Sequence, residues 1–178
     1  MLFRSPGVLS FDLATACESF RYATNATGQA CYQVAVCAEQ AELDAGTFSI
    51  RVKHDLTPLE TADTIIVPGI LLPHAPLTPT VIGALREAAR RRKRIASICT
   101  GAFVLAEAGL LNGLRATTHW LAAPELAQRY PATEVDPAVL FVDNGQILTS
   151  AGAAAGLDLC MHMIRSDFGA AVAAHVAR

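Results

Sequence analysis

The stretch "SICTGAF" (97–103) sets a cysteine, Cys99, between the short apolar run "RIASI" (94–98) and a helical pattern that begins at Thr100. A thiol at the junction of a buried strand and a helix admits three readings: a nucleophile, a redox-sensitive sulfur, or a small apolar filler. Gly101 lets the backbone approach closely in the sharp turn that such a junction needs. The helix that follows points its amino end at the sulfur, which favours thiolate. This is the pattern of a nucleophile elbow, and packing alone explains it equally simply.

The other candidate groups are spread along the chain. Asp12 stands where an amino-terminal helix opens and reads as its N-cap, as the carboxylate partner of Cys99, or as both. Glu18, further along the same pattern, is either an exposed helix carboxylate or a group that reaches the sheet edge. His119 lies beside Trp120 in "ATTHW", as a lining residue near Cys99 or a hydrogen-bonded structural imidazole. His54, His74, His162 and His175 are scattered, no pair has ligand spacing, and no metal site or cofactor is expected. "RRRKR" (90–94) ends a helix, where cations meet the negative end of the dipole, so a solvated helix end is the reading rather than a nucleic-acid patch. "PGILLPHAPLTP" (68–79) is a loop that either lines a pocket or contacts a second subunit.

The pattern that positions these groups alternates strands with helices. "MLF" looks like the stub of a first strand, and "RSPGVLS" like a turn. Leu13, Cys17, Phe20 and Ala23 give helical spacing from Phe11 to about Thr24. Strands are expected at 31–38 (Val-rich and largely buried), 47–52, 62–69 and 94–98. Helices are expected at 79–92, with Val81, Ile82, Leu85 and Ala89 on the apolar face, and at 100–111. After a brief extended piece at 115–120 and a helix through Ala127, residues 139–150 read as a hairpin turning at Asn144–Gly145. Two closing helices cover 152–165 and 168–178. The sum is an α/β domain with a mainly parallel sheet covered on both faces, whose site lies at the carboxyl ends of the strands.

Composition narrows the class. With 178 residues, 52% hydrophobic and 17% charged, the chain suits one folded domain. A net charge of −2 gives no bulk attraction to nucleic acid. No apolar run is long enough to span a membrane and no signal peptide is visible, so a cytoplasmic protein without membrane contact is expected. Five cysteines at irregular spacing read as reduced thiols.

The block "SICTGAFVLAEAGLLNGLRATTHW" (97–120) resembles the elbow region of the PfpI-type, class I glutamine amidotransferase-like superfamily, and nearly the whole chain shares the likeness. Two branches are most similar: the sensor domain at the amino end of AraC-type transcriptional regulators, and isocyanide hydratase. Both carry an acidic residue in an "FDL" segment, here Asp12. "FVDNGQILTSAGAAAGLDLCMHMIRSDFGAAVAAHVAR" (141–178) is similar to the regulator branch, in which a linker and two helix-turn-helix units follow.

The resemblance implies a flavodoxin-like α/β sandwich with a nucleophile-elbow cysteine. It implies one sensor domain over 1–178 that takes a small-molecule effector, pairs as a homodimer, and touches DNA only through a carboxy-terminal domain absent from this chain. On that reading Cys99, Thr100, Gly101, Asp12 and His119 bind the ligand. The isocyanide hydratase branch implies instead a hydratase or lyase, with Cys99 as nucleophile and Asp12 shuttling its proton. Thr100 would hold substrate or water through its hydroxyl, and the Thr100 and Gly101 N–H groups would form an oxyanion pocket. The chain departs from the superfamily's enzymes by having Thr100, not His, after the elbow cysteine and by lacking a late His-x-Glu pair. Amidotransferase and peptidase chemistry are therefore not expected.

Overall fold

A computed structural model describes residues 7–178. The expected stub "MLF" and the first residues of the "RSPGVLS" turn lie outside the described residues.

Helix α1 (Ser10–Arg21) buries Leu13, Ala16 and Phe20, with Cys17 at the margin of the stripe. Next come a small antiparallel pair, β1 (Glu42–Asp44) and β2 (Ser49–Arg51), and a 3-10 turn at Thr57–Glu60. Strand β3 (Thr64–Val67) opens the main sheet. Helix α2 (Pro79–Arg90) starts with proline at its first position, and the Thr78 hydroxyl oxygen accepts from the Val81 N–H at 3.3 Å. Such a cap satisfies an otherwise orphaned helix donor. Strand β4 (Arg94–Ile98) and helix α3 (Gly101–Glu107) flank Cys99. The chain continues through β5 (Arg115–Ala116), α4 (Ala123–Arg129), β6 (Glu134–Val135), β7 (Phe141–Asp143), β8 (Ile147–Ser150), α5 (Ala154–Phe168) and α6 (Ala170–Val176).

Among the described residues the main sheet has four strands in the order β3-β4-β8-β7. β3, β4 and β8 run parallel, and β7 closes one edge antiparallel to β8. The expected mainly parallel sheet with helices on both faces is this structure. β8 is buried at every residue and β4 at all but its first, as strands covered on both faces must be. The hairpin turns at Asn144–Gly145 as expected, with the Asp143 carboxylate accepting from the Gly145 N–H at 2.7 Å.

Among the described residues, the expected strand at 31–38 pairs only through one isolated bridge. That bridge joins Cys37 to His54, and Gln33, Val34 and Ala35 are exposed, Val34 by 42%. A Val-rich segment becomes a buried strand only when a neighbour completes its ladder. Residues 32–36 have no ladder partner among the described residues and are partly open to solvent.

"RRRKR" is more than a solvated helix end. Arg90 and Arg91 pair with Glu87 on α2, as a solvated end would, but the Lys93 ammonium donates to the Leu59 and Glu60 carbonyls at 3.0 and 2.6 Å. Arg94 makes a two-pronged ion pair with Asp167 at 2.8 and 2.6 Å. No helix of the described residues is long and apolar enough to cross a membrane.

Candidate functional site

The site grows from two neighbouring parallel strands. β4 ends at Ile98 and delivers Cys99; β8 ends at Ser150 and delivers Gly152 and Ala153. Cys99 has φ 57° and Ala153 φ 54°, and only one other non-glycine among the described residues, Arg92, has positive φ. Each such placement costs on the order of 1–3 kcal/mol and persists only when the surroundings enforce it. At Cys99 the enforcing bonds are visible. Its N–H donates to the Ser150 carbonyl at 3.0 Å, and its carbonyl accepts from the Thr118 hydroxyl at 2.8 Å.

Two glycines make room. A Cβ on Gly101 would stand 2.5 Å from the Val67 carbonyl oxygen and 2.7 Å from that of Pro68, so α3 could not approach the end of β3. A Cβ on Gly152 would stand 2.6 Å from the His119 ring and 2.9 Å from the Cys99 sulfur. Gly152 therefore lies against both groups.

Asp12 reaches this point from the first turn of α1. It is not the N-cap: Leu9 holds that position, without a side-chain cap. Asp12 is 3% exposed, its Oδ2 accepts from the Gly69 N–H at 3.1 Å, and its carboxyl meets the Cys99 thiol. Burial raises its pKa above the usual carboxylate value, against the lowering effects of the Gly69 N–H, the Cys99 thiol and His119.

Burial also raises Cys99, and the Asp12 charge adds to it, against a lowering contribution from the Thr100 N–H; the pKa reaches about 11. The thiolate expected from the helix dipole is thus not the resting form. A dipole at the start of a seven-residue helix does not offset burial beside a carboxylate. Cys99 rests as a protonated thiol facing a carboxyl.

Leu9, Ser10, Phe11, Asp12, Ala45, Cys99, His119 and Ala153 enclose an open cavity of about 320 Å³. His119 is half-buried, stacks on Trp120, and accepts from the Leu121 N–H at Nδ1. With Nδ1 accepting that bond, Nε2 is the ring nitrogen left to donate. The Thr100 hydroxyl donates to the Ile70 carbonyl at 2.7 Å and accepts from the Ile70 N–H at 2.8 Å. It fastens the elbow to the loop after β3, and both the Thr100 N–H and its hydroxyl lie toward the sulfur and lower its pKa.

The structure therefore brings Asp12, Cys99 and His119 to one cavity, with Thr100 and Gly101 forming the turn beneath it. Glu18 is elsewhere: it pairs with Arg21 on the exposed side of α1 and lines a different cavity. Residues 68–79 line neither cavity, though the Gly69 N–H bonds Asp12; Arg129 holds that loop through the Pro73 carbonyl. Sequence reading missed Thr118, Gly152, Phe11 and Ala153. Thr118 and Gly152 fall inside the quoted motif segments but carry no reactive group that would single them out.

The family model described as "DJ-1/PfpI family" matches residues 2–166. The chain belongs to the DJ-1/PfpI family. Among curated DJ-1/PfpI-related sequences, the HTH-type transcriptional regulator CdhR of Pseudomonas aeruginosa is 35% identical over 134 residues, covering 75% of this chain and 40% of the regulator. The isonitrile hydratase of Pseudomonas putida is 38% identical over 85 residues, covering 48% of this chain and 36% of the hydratase. In fold, an AraC family transcriptional regulator from Pseudomonas putida superposes with TM-score 0.83 at 19% identity, covering 99% of this chain and 94% of that one. Drosophila melanogaster DJ-1beta superposes with TM-score 0.80 at 20% identity, covering 99% and 93%. The chain spans less than half the length of the curated regulators it matches.

Proposed function

We propose that residues 1–178 form the sensor domain of an AraC-type transcriptional regulator and take a small-molecule effector in the Cys99 cavity. The observation that carries this reading is the pairing of an open cavity with a protonated thiol: the site can receive a ligand, but its sulfur is held in the non-nucleophilic form. Cys99, Asp12 and His119 contact the effector, and the turn at Thr100 and Gly101 offers it backbone N–H groups. No cofactor takes part. Binding favours one conformation and passes that bias to a DNA-binding domain elsewhere in a longer, cytoplasmic, homodimeric protein.

The test is a thermal-shift screen with small metabolites, repeated on Cys99→Ala and Asp12→Asn. A compound that stabilises the parent and neither variant supports the reading. A compound that stabilises all three equally binds elsewhere and removes the cavity from the account.

One observation favours a second reading. The Asp12 carboxyl faces the thiol and can take its proton, as a cysteine-dependent hydratase requires. Cys99 would then attack an electrophilic carbon such as that of an isocyanide. Turnover of an aliphatic isocyanide that disappears in Cys99→Ala would establish this reading over the first.

A further inference from the structure

A second cavity, also of about 320 Å³, lies between α1, the first turns of α5 and the end of α6. Phe11 is common to the two cavities. Ala153 lines the first and Ala154 the second, so a single peptide link separates them there as well. Val176, near the end of α6, faces into the second cavity beside Leu157.

The mechanical setting is uneven. The far end of α5 is pinned by Asp167 to Arg94 and to the Tyr32 hydroxyl, the latter at 2.7 Å. The near end begins at Ala153, whose φ 54° and ψ −123° are strained for a residue with a Cβ. Helix α6 packs against α5, burying Ala173 and, in part, Val172 and Val176. Phe11 is 62% exposed, so its ring is not locked by close packing.

We infer that Phe11 and the Ala153–Ala154 turn form a movable partition, through which filling the Cys99 cavity changes the seating of α6. An occupant of the first cavity presses on Phe11 and on the strained turn. Both yield more readily than the paired end of α5, and both border the space into which Val176 projects. The last helix thereby reports the state of the pocket. This rests on the sensing role proposed above for the nature of the occupant, but not for the coupling itself.

The test supplies its own occupant. Ala45 lines the first cavity from the loop after β1, apart from both α1 and α5. Ala45→Trp places a ring in the cavity from the opposite wall, and Ala45→Leu is the smaller version if the indole prevents folding. Peptide-level alkylation of Cys99 measures filling, and hydrogen exchange of amides 170–177 measures the seating of α6. The expected result is slower Cys99 alkylation with exchange of α6 faster by about tenfold, and loss of that response when Phe11→Ala is added. Unchanged α6 exchange in a folded variant with protected Cys99 overturns the coupling. Alkylation that persists in both variants counts against it too, since the new side chain then finds room without meeting the shared wall. A sensor whose effector leaves α6 unmoved would pass the thermal-shift test and fail this one, so the two proposals fail separately.

Discussion

The two ends of β4 are built on opposite terms. At its amino end Arg94 meets Asp167 in a two-pronged ion pair, its Nε donates to the Thr64 hydroxyl at 3.1 Å, and Tyr32 adds a hydrogen bond to the same carboxylate. The Tyr32 ring is itself packed edge-on between Phe20 and Phe168. At the carboxyl end five residues later, the backbone turns left-handed, the thiol and carboxyl are buried beside each other, and a cavity opens. One end satisfies its charges; the other keeps strain and a costly carboxyl. Stability concentrated at one end lets the other hold a geometry that would not persist alone.

The largest effect that can break this contrast is Gly101→Ala. Its Cβ would meet backbone carbonyls, which cannot swing aside as a flexible side chain can. A stability loss of about 3 kcal/mol is expected in denaturant melts. A near-neutral result would show that the elbow end yields easily.

At the other end, Asp167→Asn should cost about 2 kcal/mol, because it removes a charge-assisted pair that is largely screened from water. Burial tends to raise the Asp167 pKa, but Arg94 and Tyr32 outweigh it and the net shift is downward. The sign follows: this stabilisation is present above the ordinary carboxylate pKa and is lost as pH falls through the lowered value. A parent chain whose melting temperature shows no extra acid sensitivity relative to Asp167→Asn contradicts the clamp.

Ala153→Gly sharpens the comparison from the strained side. An unstrained alanine in the middle of a helix would lose roughly 0.5–1 kcal/mol on this change. Relief of the positive φ should reverse the sign and stabilise by about 1 kcal/mol, read as a higher melting temperature. The smallest stability effect is expected for Asp12→Asn. It removes a carboxylate whose ionisation burial disfavours, and its clearer signature is a lower Cys99 pKa, since the Asp12 charge is one of the causes raising it.

The strands and helices around Cys99 were legible because period and punctuation agree there. "RIASI" is continuous and apolar, and Asn144–Gly145 names its own turn. The exposure of residues 33–35 is not legible in the segment 31–38, because Val content reports β propensity but not which face a neighbour covers. Arg94 was hidden within a basic run, and its partner Asp167 is 73 residues away. Cys99 itself stood out by position, whereas its protonation did not: a sequence shows the helix that would lower a thiol pKa, but not the carboxylate that folding brings against it. Ala153 carries no mark at all, since strain belongs to the backbone that the fold imposes.

The central claim is that Cys99 is a buried, protonated thiol in a receiving cavity, and its titration tests this most directly. The rate of Cys99 alkylation by iodoacetamide, followed on its own peptide between about pH 6 and 9.5, should rise tenfold per pH unit with no plateau, as a pKa of about 11 requires. The Cys99 contribution to folding stability should hold below about pH 9 and be lost as pH rises from there towards 11, where the unfolded chain releases the proton first. A plateau near neutrality would mean a resting thiolate, and would move the site from sensing to nucleophilic catalysis.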